Sequence, residues 1–156
     1  MIVKQPNRIK HRYRQSLTAP PEDVFPLLCP VLELDWVRGW DPELVLSNSG
    51  VAEQDCIFIL ERETENEIWV ITKYDPEYYQ LEMLKVTPDH SVGKIEIALF
   101  PDEGNRTFAE IVYSYTSLGP QGDEFLVTFT EEWYHKFMET WEEELNHYLS
   151  TGEKLP

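Results

Sequence analysis

The chain has 156 residues, 42% of them hydrophobic, and carries 29 acidic side chains against 13 basic ones, a formal net charge of −16. That length suits a single domain over residues 1–156 with a real apolar core, and argues against a disordered chain. The acid excess argues against nucleic acid or an anionic membrane surface as partner, since both reward Lys and Arg.

The charge is uneven. Lys4, Arg8, Lys10, Arg12 and Arg14 are five of the 13 basic residues. Residues 9–18 alternate, with Ile9, His11, Tyr13, Gln15 and Leu17 on one face and basic side chains on the other, which predicts a strand. The basic face is expected to pair with acidic neighbours across the sheet, a binding stripe being the alternative. Ala19-Pro20-Pro21 ends this strand, and Pro20 or Pro21 opens a short helix with Glu22 and Asp23 in its first turn. Pro30 breaks it, a second short helix follows over 31–37, and Gly39 stops that one.

From residue 43 the pattern is strands and turns: 43–47, a hairpin of 55–62 with 67–74, then 78–86, 91–100 and 106–117. Turns centred between Thr64 and Glu65, on Pro76, on Asp89 and on Gly104 would carry one apolar face through the meander. Phe58 then meets Ile71 and Leu60 meets Trp69. Leu81 and Met83 continue to Ile97 and Ile95, and these to Ile111 and Tyr113. Glu61, Glu82, Lys94, Glu96 and Glu110 fall on the other face.

Gly119-Pro120 opens a helical turn over 120–127, although Phe125, Val127 and Phe129 also alternate as a strand would. A long helix follows over 128–149, with Phe129, Trp133, Phe137, Trp141 and Leu145 four residues apart as its apolar stripe. Thr128 with Glu131 reads as a capping box, and Gly152 sits just past the far end.

The order strand, two short helices, six strands, long helix resembles the SRPBCC or START-like helix-grip superfamily, in particular a bacterial branch of its polyketide cyclase/dehydrase-like members. The stretches that carry the resemblance are 19–25 (APPEDVF), Leu28-Cys29-Pro30-Val31 with Glu33, Trp36 and Gly39-Trp40, and 145–149 (LNHYL) with Gly152. The resemblance implies an α+β fold, a seven-stranded bent antiparallel sheet wrapped around the C-terminal helix. It also implies a cavity between the two, gated by the short helices and hairpin loops. It leaves activity open, because one fold hosts carriers, enzymes and regulators.

Aromatic side chains make broad, rigid ligand walls and also ordinary core. The expected wall is Trp36, Trp40, Phe58, Trp69, Ile71, Leu81, Ile97, Tyr113, Phe129, Trp133 and Phe137, with Tyr79 and Trp141 as further inward aromatics. The polar side chains His11, Tyr13, Gln15, Tyr113 and Tyr115 also face inward in this register. His11 beside Tyr113 suits acid–base chemistry, the plainer reading being a local hydrogen bond at the sheet end. Glu33 and Arg38 are expected to pair at the cavity mouth.

Cys29 and Cys56 stand in no CxxC and read as reduced, buried thiols of a cytoplasmic protein. No apolar run reads as a signal peptide or a membrane span. His11, His90, His135 and His147 show no HxH or HExxH spacing, and there is no phosphate-cradling glycine loop and no GxSxG, so no metal or cofactor is expected. Three functions follow in order of preference. The first is binding of a small hydrophobic or aromatic, lipid- or polyketide-like molecule. The second is a cyclase/dehydratase- or hydrolase-type enzyme using the same pocket. The third is a protein-interaction or stress-regulator module. Oligomeric state stays open, a homodimer included.

Overall fold

Alternation along the strands builds the molecule. In β6 (Ser91–Asp102), Ser91, Gly93, Ile95, Ile97 and Leu99 are buried while their neighbours are not, as a sheet with one covered face demands. The computed structural model describes all 156 residues. Before β6 come β1 (Arg8–Leu17), α1 (Pro21–Val24), β2 (Leu44–Leu46), β3 (Ile57–Leu60), β4 (Glu67–Asp75) and β5 (Gln80–Thr87). After it come β7 (Arg106–Ser117), α2 (Pro120–Thr128) and α3 (Glu131–Thr151). The seven strands form one antiparallel sheet in the order β1-β7-β6-β5-β4-β3-β2. With the long C-terminal helix laid on its covered face, this is the helix-grip α+β fold.

Two of the expected hairpin registers are those observed: Leu81 faces Ile97, Ile97 faces Ile111, and Ile95 faces Tyr113. Two differ. Phe58 faces Trp69 rather than Ile71, and Ile71 faces Met83 rather than Leu81. The reason lies in the connections. The β3–β4 loop takes up 61–66, beyond the last pair, Leu60 with Glu67. The β4–β5 turn is capped by the Asp75 carboxylate, which accepts from the amides of Glu77 and Tyr78, and a bulge between Ile71 and Lys73 breaks the ladder. Up to the bulge both displacements are by two residues, so Phe58, Trp69 and Ile71 keep their face; past it the alternation slips by one, and Tyr74, opposite Leu81, turns inward in place of Lys73. The bulge adds local bend to the sheet.

The second short helix, expected over 31–37, is one 3₁₀ turn, Leu32–Asp35, and another 3₁₀ turn, Phe25–Leu27, follows α1. Trp36 next to it is fully buried, and its indole Nε1 donates to the Leu27 carbonyl at 3.0 Å.

At the C-terminal end the helical reading of 120–127 is the one observed. Gly122 in α2 packs so tightly on the β5–β6 turn that an added Cβ would lie 2.0 Å from the His90 carbonyl oxygen. The long helix starts later than Thr128. Thr130 is its N-cap and accepts from the Trp133 amide at 3.1 Å, while Phe129 closes α2. Gly152 ends it with φ 74°.

The stripe on α3 also turns out to wind. A step of four residues overshoots a 3.6-residue turn by ~40°, so Trp133 and Leu145 point ~120° apart. Tyr134, Met138 and Leu145 form the buried line, whereas Trp133 and Phe137 are 48% and 43% exposed. The Tyr134 hydroxyl donates to the Ile111 carbonyl at 2.7 Å, and Gln15 Nε2 donates to the Met138 carbonyl at 3.0 Å. Asn146 clips α3 to the free edge of β1, accepting from the Thr18 amide and donating to the Ser16 carbonyl, both at 2.9 Å.

On the outer face of the sheet Arg14 pairs with Glu110, its cross-strand partner, at 2.7 Å, and Arg8 donates to Thr116. Cys29 and Cys56 are free thiols in the core, and Cys29 Sγ accepts from the Ala52 amide. No helix is long and apolar enough to cross a membrane.

Candidate functional site

Because α3 is fastened at β1, it stands away from the middle strands and leaves a cavity of about 390 Å³ beneath it. The strands β3 to β7 supply the floor, α2 and α3 one side, and the segment between α1 and β2 the other.

Of the expected wall residues, Trp40, Phe58, Trp69, Leu81, Ile97, Tyr113, Trp133 and Phe137 line this cavity. Trp36, Ile71 and Phe129 lie behind it in the core, each almost wholly buried. Tyr79 packs on Phe25 instead of the cavity, and Trp141 is on the wall. The rings order one another. Phe58 and Trp69 stack at 5.3 Å, with Trp40 set edge-on to both, and Trp133 stacks on Phe137 at 5.4 Å. The Trp40 indole is fixed by donating to the Pro30 carbonyl at 2.7 Å.

Polar groups interrupt this apolar wall in two places. At one end Glu67, Lys85 and Tyr115 meet. Lys85 Nζ lies 3.4 Å from Glu67 and 3.4 Å from the Tyr115 hydroxyl, and Arg62 reaches Glu67 at 3.2 Å. Glycine makes this possible. Gly93 lies between Lys85 and Tyr115 in the ladder, and a Cβ there would sit 2.7 Å from the Tyr115 ring. Burial pushes the Glu67 carboxyl up, but Lys85 and Arg62 outweigh that and hold it below the usual carboxylate range.

At the other end is Glu33, on the 3₁₀ turn between α1 and β2. Its expected pairing with Arg38 does not occur. Arg38 reaches across to α3 and binds Glu144 at 2.6 Å instead. The Glu33 carboxyl is left with neither a hydrogen bond nor an ion pair in the protein. Half-buried among apolar neighbours, it is pushed up to about 8 by loss of solvation alone. Tyr113 is also raised well above the ordinary phenol value, chiefly by burial, with Tyr115, Tyr134 and Glu33 adding to it.

His11 is not on the cavity wall. Its Nε2 donates to the Phe129 carbonyl at 2.9 Å and its ring packs on Phe129 and Tyr134, the local hydrogen bond of the plainer reading. Tyr13 and Gln15 likewise point to α3 rather than into the cavity. No group of three or more His, Cys, Asp and Glu side chains converges as metal ligands.

Sequence reasoning places Glu33 at the cavity mouth as the partner of Arg38, and does not single out Glu67, Lys85 or Glu144. For two of these three the sequence carries a signal. Glu67 and Lys85 are in phase with Trp69 and with Leu81 and Met83 on their strands.

No protein-family model matches the chain, and no curated protein matches it. Solved structures do. Norcoclaurine synthase from Thalictrum flavum superposes with TM-score 0.68 at 9% identity over 94% of this chain and 88% of that one. The same enzyme in complex with dopamine and hydroxybenzaldehyde gives TM-score 0.65 at 11% identity, covering 92% and 94%. A protein of unknown function, SA2116 from Staphylococcus aureus, gives 0.69 at 11% identity, covering 95% and 97%. At these identities the likeness is one of fold. The chain has the helix-grip, START-like fold that these proteins share.

Proposed function

We propose that residues 1–156 form one ligand-binding unit that takes a small hydrophobic or aromatic molecule into the cavity under α3. The observation that carries this is the half-exposed Trp133–Phe137 stack. Two large rings on the cavity wall, 48% and 43% exposed, remain open to solvent beside a mainly apolar cavity. A cavity of about 390 Å³ lies in the usual range for small-molecule sites, and its wall is mainly apolar with a few polar groups to set orientation. The complex of the fold neighbour norcoclaurine synthase with dopamine and hydroxybenzaldehyde, both small aromatics, supports the reading. The net charge of −16 weighs against nucleic acid, and the two free buried thiols fit a cytoplasmic setting.

A thermal-shift and native mass spectrometry screen against aromatic polyketides, fatty acids and aryl amines tests the proposal. Binding should raise the melting temperature, and Trp133→Ala should weaken it by about tenfold, the scale of one lost aromatic contact. A hit whose shift is the same in Trp133→Ala places the ligand elsewhere.

A second reading, an enzyme using the same cavity, draws on Glu33 and Tyr113. An acid raised to about 8 and a buried phenol on the same wall that feels its charge can move protons to and from a substrate. Turnover of a bound hit that disappears in Glu33→Gln would favour it over simple carriage.

A further inference from the structure

We infer that the molecule held in this cavity is an aryl-alkyl ammonium, an aromatic body carrying an amine cation, and that Glu33 is its counter-charge. This rests on the cavity being a ligand site, as proposed above, and names what enters it.

The argument begins with a carboxyl that lacks a partner. Buried carboxylates are normally paired or hydrogen-bonded. Glu33, half-buried on the cavity wall, is neither, and its two oxygens are not sealed from solvent, since Gln15 Oε1 is the lone fully enclosed polar atom without a partner. The other charges on the wall are already engaged. Arg38 from the same segment is with Glu144 of α3 at 2.6 Å. Arg62 from the β3–β4 loop and Lys85 from β5 share Glu67 of β4 at 3.2 and 3.4 Å. From β7 come only the hydroxyls of Tyr113 and Tyr115. No protein cation is left for Glu33, so a ligand must bring one or the acid stays neutral.

The rings of the same wall favour the first outcome. Trp40, Trp69, Tyr113, Trp133, Phe137 and Trp141 share the wall with Glu33. Aromatic faces attract a desolvated ammonium, and on a wall that carries both such faces and one unpaired carboxylate the two effects favour the same ligand. An anionic ligand would have to use Arg62 and Lys85, which already divide one carboxylate. The surplus charge falls on Arg62, 49% exposed and screened by water.

The same geometry makes binding visible as proton release. Burial keeps the empty-site acid mainly protonated at pH 7. Ion pairing with the ammonium then expels that proton to solvent: R–NH₃⁺ and the Glu33 carboxylic acid become an ammonium–carboxylate pair and one H⁺. The amount released should approach one per site at pH 7 and fall as the pH rises past about 8.

The test is titration calorimetry of the full chain with tryptamine, tryptophol and indole-3-acetate, which share a ring system and differ in head-group charge. It is run at pH 7 in two buffers of different ionisation enthalpy. Tryptamine should bind at least about tenfold more tightly than either analogue, with proton release in the tryptamine titration alone. In Glu33→Gln that preference and the release should vanish while tryptophol binding persists. Equal or tighter binding of tryptophol or indole-3-acetate overturns the inference and leaves the ligand-binding reading standing. So does a preference that survives in Glu33→Gln. Absence of binding by all three, in a protein that melts cooperatively, overturns both.

Discussion

Trp36 and Trp141 stack with ring centroids 5.9 Å apart and planes 17° from parallel, so two indoles fasten the segment between α1 and β2 to α3. One indole is core and the other is cavity wall. The contact therefore couples the stability of the fold to the shape of the site. Trp36→Ala should cost about 3–5 kcal/mol in urea denaturation, the scale of a large buried ring removed. A double-mutant cycle with Trp36→Leu and Trp141→Leu should show a coupling of about 1 kcal/mol. A coupling near zero would mean that the rings touch without holding the segment.

Arg38 and Glu144 form the second fastening, and the burden falls on Glu144, whose side chain is only 7% exposed. Arg38→Ala leaves that carboxylate buried with no cation, which should cost about 1–3 kcal/mol. Adding Glu144→Gln should recover most of the loss, because the stranded charge is then gone. Chemical denaturation of the two variants checks both steps. An unstable double variant would show that the Arg38 stem, not its charge, does the holding.

Two glycines should rank in a fixed order. Gly122→Ala drives a methyl into the backbone carbonyl of His90, 2.0 Å away, so α2 must lift from the β5–β6 turn. Gly93→Ala meets the Tyr115 ring at 2.7 Å, and a ring can swing aside. The first should be the more damaging, by several kcal/mol, and the second should cost about 1–3 kcal/mol as ordinary overpacking. The second should also part Tyr115 from Lys85 and so alter the cavity. Melting temperatures of the two variants decide the order.

Glu33 should make stability fall with rising pH. Its carboxyl titrates near the ordinary carboxylate value in the unfolded chain and at about 8 in the folded one. Between roughly pH 4.5 and 8 the folded protein holds the extra proton, so folding weakens as pH rises through that window. Glu67 works the other way. Its lowered value contributes stability above the unfolded pKa, and that stability is lost as pH falls through the folded one. Glu33→Gln should flatten the decline between pH 5 and 8 and leave the acid limb intact. A wild-type stability that rises steadily from pH 5 to 8, unchanged in the variant, would contradict the placement of Glu33.

Much of the fold could be read from the chain because its signals are local. Alternation from Ser91 to Leu99 and from Arg106 to Ser117 fixes which face is inward, and a two-residue register error at Phe58 or Ile71 does not disturb it. The helix stripe was harder. Trp133 and Leu145 share a four-residue spacing but not a direction, and only the position of β1 decides which line of α3 is buried. Tyr134 and Met138, the residues that seat the helix, stand outside the four-residue series. The polar part of the site was least legible. Glu33 looked like a partner for Arg38 because the two are close in sequence. The actual partner of Arg38 is Glu144, more than a hundred residues away, and no local pattern announces such a pair. His11 drew attention as a titratable group on an inward strand face, yet the Phe129 carbonyl beside it is supplied by a helix end that the strand pattern cannot foresee.

The Asn146 clip has an effect beyond holding a helix. Exposed strand margins are templates on which copies of a protein zip together. Here the amide of Thr18 and the carbonyl of Ser16 are already taken, and Glu142 accepts the Ser16 amide beside them. An incoming strand finds that end of the margin occupied, which leaves for templating only the basic stretch of β1 before it and the three-residue β2 at the opposite side.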